Sequence, residues 1–263
     1  MSQAVTPELR QWIVAQAQAG CRPEDVLQAM RVSGWAEDVA IRAMEDALSG
    51  FLATRQREVA LPAAVPVPEP ALGEGANTVM AGDREVRVLA AMRNPRVVVF
   101  GGLLSDDECD ALIELARPRL ARSETVHNSS GGSEVNAART SDGMFFERGQ
   151  APLIERIERR LSALVNWPVE NGEGLQVLRY RPGAEYRAHH DYFDPAQPGT
   201  PTILQRGGQR VGTVVMYLNT PERGGGTTFP DVALEVAPIK GNAVFFSYDR
   251  PHASTRTLHG GAP

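Results

Sequence analysis

The sequence predicts an α+β protein, a β-sandwich or jelly roll buttressed by helices and preceded by a small three-helix bundle. Three observations carry this reading. Residues 6 to about 58 place apolar side chains at helical spacing, interrupted twice by glycine-containing turns. A proline-dense stretch follows, with Pro62, Pro66, Pro68 and Pro70 among alanine, valine and glycine. Beyond Glu173, short β-prone runs recur between Gly, Pro and Asn turns, after two longer helical segments.

Taken in order, Thr6 can cap a helix that begins at Pro7, with Glu8 in its first turn and Leu9, Trp12, Ile13 and Ala17 along one face until Gly20. A second helix starts near Pro23, buries Val26, Leu27 and Met30, and stops at Ser33-Gly34. The third begins at Trp35 or Ala36 and carries Val39, Ile41, Met44 and Leu48. Residues 1–58 resemble the small ubiquitin-associated-like bundles, with a Gly-Trp turn before the last helix. That resemblance implies a module that binds a peptide or protein partner; a helical appendage that solubilises or dimerises the chain is the alternative. Residues 59–82 are expected to be an extended linker, and the larger domain occupies 83–263.

In that domain Arg84 to Leu89 and Arg96 to Phe100 read as strands separated by the turn signal Asn94-Pro95. Ser105-Asp106-Asp107-Glu108 is a capping box opening a helix to about Arg117. Ser123 to Ser141, rich in Ser, Asn and Gly, is expected to be a mobile surface loop containing His127. Pro152 to about Asn166 is helical, with Leu153, Ile154, Ile157, Leu161, Leu164 and Val165 in register. The later strands are Leu175 to Tyr180, Tyr186 to Asp191, Arg210 to Asn219, Leu234 to Ala237, Ala243 to Tyr248, and a run near Thr257-Leu258-His259. Both alternating sets of Arg210 to Asn219 are largely apolar, which predicts burial on both faces.

Composition excludes several classes of function. A net charge of -5 over 263 residues argues against partners attracted by bulk positive charge, so neither nucleic acid nor a membrane surface is expected. Lys240 is the only lysine. Cys21 and Cys109 lie far apart, without a disulfide framework, and the N-terminus lacks a basic start followed by an apolar core. The expected location is cytoplasmic.

The chemistry is concentrated in Tyr180 to Phe193, around His189-His190-Asp191. On a strand His189 and Asp191 share a face while His190 points oppositely. A second histidine arriving beside them would complete a set of two imidazoles and one carboxylate with an open side, which suits non-haem Fe(II). His252, in the turn Asp-Arg-Pro-His, and His259 are the candidates. Position favours His259, which follows β-prone residues and precedes Gly260-Gly261, where the backbone can approach closely.

These residues, with Ser105 to Asp110, Arg139-Thr140-Ser141, Gly172 to Tyr180, Gly208-Gln209-Arg210, Met216 to Asn219, Gly224 to Pro230 and Leu258 to Gly261, make residues 83–263 similar to the prolyl 4-hydroxylase family of Fe(II)/2-oxoglutarate-dependent dioxygenases, of the bacterial and plant type. The resemblance implies a double-stranded β-helix, Fe(II) held by His189, Asp191 and His259, 2-oxoglutarate as co-substrate, and L-ascorbate. By analogy Tyr180 and Thr213 would bind the far carboxylate of 2-oxoglutarate, although Tyr180 could equally be a core aromatic. Tyr186 and Arg139 would line a groove for a proline-containing peptide; otherwise they are a surface tyrosine and a loop arginine. The polar loop at 123–141 and the Pro- and Gly-rich segment 194–208 are expected to close over such a substrate. The family also places a lysine and tryptophans after the distal histidine, whereas this sequence stops at Pro263. The expectation is therefore a truncated C-terminus and weak binding of 2-oxoglutarate. Hydroxylation of another side chain or a small molecule, and a non-catalytic scaffold, are the alternative functions.

Overall fold

In the computed structural model, which describes residues 5–58, 61–123, 125–126, 132–134 and 138–263, the Thr6 hydroxyl accepts from Leu9 N at 3.3 Å and starts helix α1 (Pro7–Gln18). Helices α2 (Pro23–Val32) and α3 (Glu37–Glu58) follow, and Ile13, Met30, Ala40, Ala43 and Ala47 form their common core. The buried stripe of α3 is made of alanines, not of the larger residues expected. Met44 and Leu48 only flank it, and Ile41 and Trp12 are exposed. Small side chains let the helices approach closely, which turns the bulkier neighbours outward. The chain divides into two units, Met1–Leu61 and Pro62–Pro263.

The proline-rich stretch is not a free linker. Val65 N donates to Asp249 O and Glu69 N to Val165 O, both at 2.8 Å, and Pro68 and Pro70 are buried. Proline cannot donate to a sheet but can pack as an extended strap, and here it does so on the second unit. Its last residues form an unexpected strand, β1 (Thr78–Ala81), joined to β2 (Arg84–Met92) through Gly82 at φ +63°.

After β2 come β3 (Arg96–Gly101) and α4 (Asp106–Ala116), whose capping box has both reciprocal bonds between Ser105 and Glu108. β4 (Ala121–Arg122) precedes the segment read as one loop, Ser123 to Ser141; within it β5 (Thr125–Val126) pairs with β6 (Ser133–Glu134), and β7 (Asp142–Phe145) follows. His127 lies outside the described residues. Helix α5 (Pro152–Val165) ends at Asn166 in the left-handed conformation, and β8 (Gln176–Arg179) and β9 (Tyr186–His189) follow. Residues Thr200–Gly207 form helix α6 within the Pro- and Gly-rich segment 194–208, to which the sequence alone assigns no element. The remaining strands are β10 (Gly212–Met216), β11 (Thr227–Phe229), β12 (Leu234–Val236), β13 (Ala243–Ser247) and β14 (His259–Gly261).

Two antiparallel sheets position the site, ordered β1-β2-β3-β13-β10 and β12-β11-β14-β9. Alternation sorts the first sheet cleanly. Val98, Phe100, Ala243 and Phe245 face Leu164 and Val165 of α5, whereas Val97, Val244 and Phe246 face Phe229 and Val236 of the second sheet. Burying each of these phenylalanines contributes on the order of 2–3 kcal/mol. Strand β10 is only half-buried along its length, against expectation, because it is an edge strand of its sheet. A three-stranded sheet, β4-β7-β8, packs Met144 and Val177 against α4 and α5.

An ion network ties these parts together. Buried Arg160 of α5 donates to Glu108 of α4 at 2.7 and 2.8 Å, to Asp83 in the β1–β2 turn at 2.8 Å, and to Leu103 O at 2.9 Å. Hydrogen bonding from Arg160 lowers the Glu108 carboxyl to about 2 against the opposing effect of burial.

Candidate metal centre

Strands β9 and β14 pair with His189 directly opposite His259. Asp191 lies two residues beyond the end of β9, and its carboxylate turns back between the two rings. Its Oδ1 is 3.4 Å from His189 Nε2 and its Oδ2 is 3.5 Å from His259 Nε2. One donor atom from each of the three residues lies within 4.8 Å of the others, so the group could hold a metal ion.

The hydrogen bonds around this cluster decide its chemistry. His189 Nδ1 lies 2.9 Å from Arg187 O, and His259 Nδ1 lies 3.0 Å from Thr257 O. A carbonyl oxygen only accepts, so each Nδ1 carries a proton, and in the neutral ring Nε2 is the atom whose lone pair points inward. Burial pushes His259 below its ordinary value, with Asp191 opposing, which favours the neutral ring. Burial alone would raise the Asp191 carboxyl, but the adjacent imidazoles and the Thr213 hydroxyl hold it well below the usual carboxylate range. Metal binding requires neutral imidazoles, and with both rings neutral three electron-pair donors face one another. A cation resolves their mutual repulsion, and two imidazoles with one carboxylate are the donor set that suits Fe(II) with open positions.

Apolar and aromatic groups wall the cluster. Phe246 lies 4.5 Å from the His259 ring, and Tyr186 stacks on His189 at 3.7 Å and 25°. Arg139, buried and bridged to Tyr186 through the backbone, sits over the Tyr186 ring at 4.8 Å and donates to Gln176 Oε1 at 3.3 Å. It is thus not a surface group. Thr213 reaches the centre itself: its Oγ1 is 2.7 Å from Asp191 Oδ2. Tyr180 is 38% exposed and lies near Gly261, 4.0 Å from where a side chain there would begin, so it is not a core aromatic.

The other two described histidines stand apart. His190 points away from the cluster and stacks on Tyr192 at 4.6 Å. His252 Nδ1 accepts from Ser254 N at 3.0 Å and caps the short turn Ala253–Thr255.

A family model described as the 2OG-Fe(II) oxygenase superfamily matches residues 175–263, which include all three cluster residues. Prolyl 4-hydroxylase 5 of Arabidopsis thaliana is 40% identical over 204 residues, covering 69% of this chain and 67% of that protein. Probable prolyl 4-hydroxylase 8 of the same plant is 39% identical over 203 residues, covering 69% of this chain and 68% of that protein. The chain belongs to the prolyl 4-hydroxylase family. A crystal structure of a viral collagen prolyl hydroxylase from Paramecium bursaria Chlorella virus-1, in complex with 2-oxoglutarate, matches 64% of this chain and 87% of that one at 30% identity, with a TM-score of 0.48. The chain spans about two thirds of the length of its curated prolyl 4-hydroxylase relatives.

Beside the centre of this prolyl 4-hydroxylase family member stand three residues that sequence reasoning missed. Arg210 makes a two-pronged ion pair with Glu173, at 2.6 and 2.9 Å, and lies over Phe193 at 4.9 Å. The partners are far apart in sequence, so no local pattern announces them. Tyr248 is 2% exposed, and its hydroxyl lies 3.0 Å from Thr213 Oγ1. A signal for it existed: Phe246 and Tyr248 alternate onto one face of the β13 run.

Proposed function

We propose that this chain is a peptidyl-proline 4-hydroxylase, coupling oxidative decarboxylation of 2-oxoglutarate to hydroxylation of a prolyl residue in a peptide or protein. The observation that carries the reading is the convergence of donor atoms from His189, Asp191 and His259 on one point, in a member of this family. These atoms would hold Fe(II). Bound Fe(II), with 2-oxoglutarate and dioxygen, supplies the oxidising chemistry that replaces a C–H bond by C–OH.

The chain's own groups do the positioning. The protons on the two Nδ1 atoms, held by Arg187 O and Thr257 O, keep both rings turned with Nε2 inward. Phe246, and Phe229 behind it, restrict water on the His259 side. Thr213, which the resemblance places on the far carboxylate of 2-oxoglutarate, has its one hydroxyl hydrogen on Asp191 Oδ2; we assign Tyr180 to that carboxylate, and Tyr186 and Arg139 to the peptide. There the tyrosine ring offers a flat apolar face to proline, and the guanidinium offers N–H donors to backbone carbonyls. L-ascorbate is proposed as the reductant. The two facing sheets are read as a double-stranded β-helix, and the N-terminal helices as a module for a protein partner. Cys21 and Cys109 are both free thiols, which supports a reducing, cytoplasmic location. No helix among the described residues is long and apolar enough to cross a membrane.

The test is to load the chain anaerobically with Fe(II), then supply 2-oxoglutarate, ascorbate, air and proline-rich peptides. Hydroxyproline formed in step with succinate is the expected result. Turnover coupled only to a free amino acid or small metabolite would overturn the substrate assignment.

A further inference from the structure

We infer that Tyr248 is a positioning residue for the metal centre: its buried hydroxyl, donating to Thr213, locks the Thr213 hydroxyl onto Asp191 Oδ2 and so leaves Oδ1 as the oxygen presented to a cation. The inference rests on the reading of His189, Asp191 and His259 as a metal site.

The direction of each hydrogen bond follows from the groups involved. Thr213 Oγ1 donates to Asp191 Oδ2 at 2.7 Å. Thr213 has one hydrogen, now committed. In the 3.0 Å contact between the two hydroxyls Thr213 must therefore accept, and Tyr248 must donate. Burial and the Asp191 charge both push the Tyr248 phenol up, so it keeps the proton it donates. Thr213 is its sole hydrogen-bond partner among the described residues.

The backbone fixes this chain of donors. Thr213 lies opposite Phe246 in the β10–β13 pairing, and Tyr248 N donates to Val211 O at 3.1 Å one step further along. Thr213, Phe246 and Tyr248 consequently share the face that looks toward His259 and Asp191. A hydroxyl rotor left to itself samples several directions; one whose lone pair is engaged by a rigid phenol does not. Asp191 follows the end of its strand and lacks the restraint of the ladder, so an outside anchor on Oδ2 is what sets the carboxylate plane.

The experiment is an anaerobic titration with Co(II), read through its visible absorption, on the full chain and on the variants Tyr248→Phe, Thr213→Val and both together. Tyr248→Phe keeps the ring that packs on Tyr192 and Phe246. It is expected to bind Co(II) about tenfold more weakly, with shifted absorption bands. Thr213→Val should weaken binding at least as much, and the double variant no more than Thr213→Val alone, because the phenol acts through the threonine. Wild-type affinity and spectrum in Tyr248→Phe, or additive losses in the double variant, would overturn the inference. Failure of the unaltered chain to bind Co(II) would overturn the metal-site reading and this inference with it.

Discussion

The ring of Tyr186 lies 3.7 Å from that of His189, only 25° from parallel, so a group proposed for the substrate side also braces a proposed metal ligand. Such a stacked pair is worth about 0.5–1.5 kcal/mol beyond its buried area. Tyr186→Phe is therefore expected to retain metal affinity, and Tyr186→Ala to lose about two- to tenfold, measured by anaerobic metal titration. Equal affinity in the two variants would mean that the stack does not hold His189.

Asp191→Asn removes the charge that draws a cation into the cluster and supplies an amide that can donate to a histidine Nε2. Adding Fe(II) or Co(II) should raise Tm only in the unaltered chain. A chelator should abolish succinate formation, and Fe(II) should restore it.

Gly260 is required by the approach of β14 to β9. A Cβ there would meet Tyr186 O at 2.8 Å and Ala188 N at 3.2 Å. Gly260→Ala should push the strand carrying His259 away from the strand carrying His189, weakening metal binding more than it lowers Tm. A variant that binds metal normally would show that the pairing tolerates the displacement.

The Arg160 network makes a pH prediction. Glu108 titrates at about 2 in the folded chain, below its ordinary value of 4.5. A lowered carboxyl stabilises the fold fully above the unfolded value, and that stability is lost as pH falls from 4.5 toward about 2. Denaturation midpoints in urea should fall across this window, and Glu108→Gln should flatten the dependence. Arg160→Met, which leaves Glu108 and Asp83 without their shared cation, should cost about 3–5 kcal/mol at neutral pH, where Glu108→Gln costs less.

Much of the frame was legible because local rules and tertiary packing agree. Thr6 before Pro7 and the Ser105–Glu108 box start helices where capping chemistry requires, since these bonds close within one turn. β1 was hidden because Thr78–Ala81 follows a proline-rich stretch, and only its pairing with β2 makes it a strand. Helix α6 carries little local signal because Pro201 and the glycines around Thr200–Gly207 are turn formers; a proline in the first turn is compatible with a helix.

What the sequence determined by itself is the local chemistry: one imidazole and one carboxylate spaced to converge, a second histidine followed by glycines, and the caps and apolar periods of the main helices. What the tertiary structure decided is how those groups meet. The pairing of His259 with His189, the carbonyls that fix both tautomers, the Tyr248–Thr213–Asp191 chain and the Glu173–Arg210 pair each join residues from different segments or depend on the exact turn of a ring. The physical reason is range. Side-chain period and capping act over a few residues and leave a mark in sequence, whereas the direction of a hydrogen bond between two strands is set only when the sheet has closed.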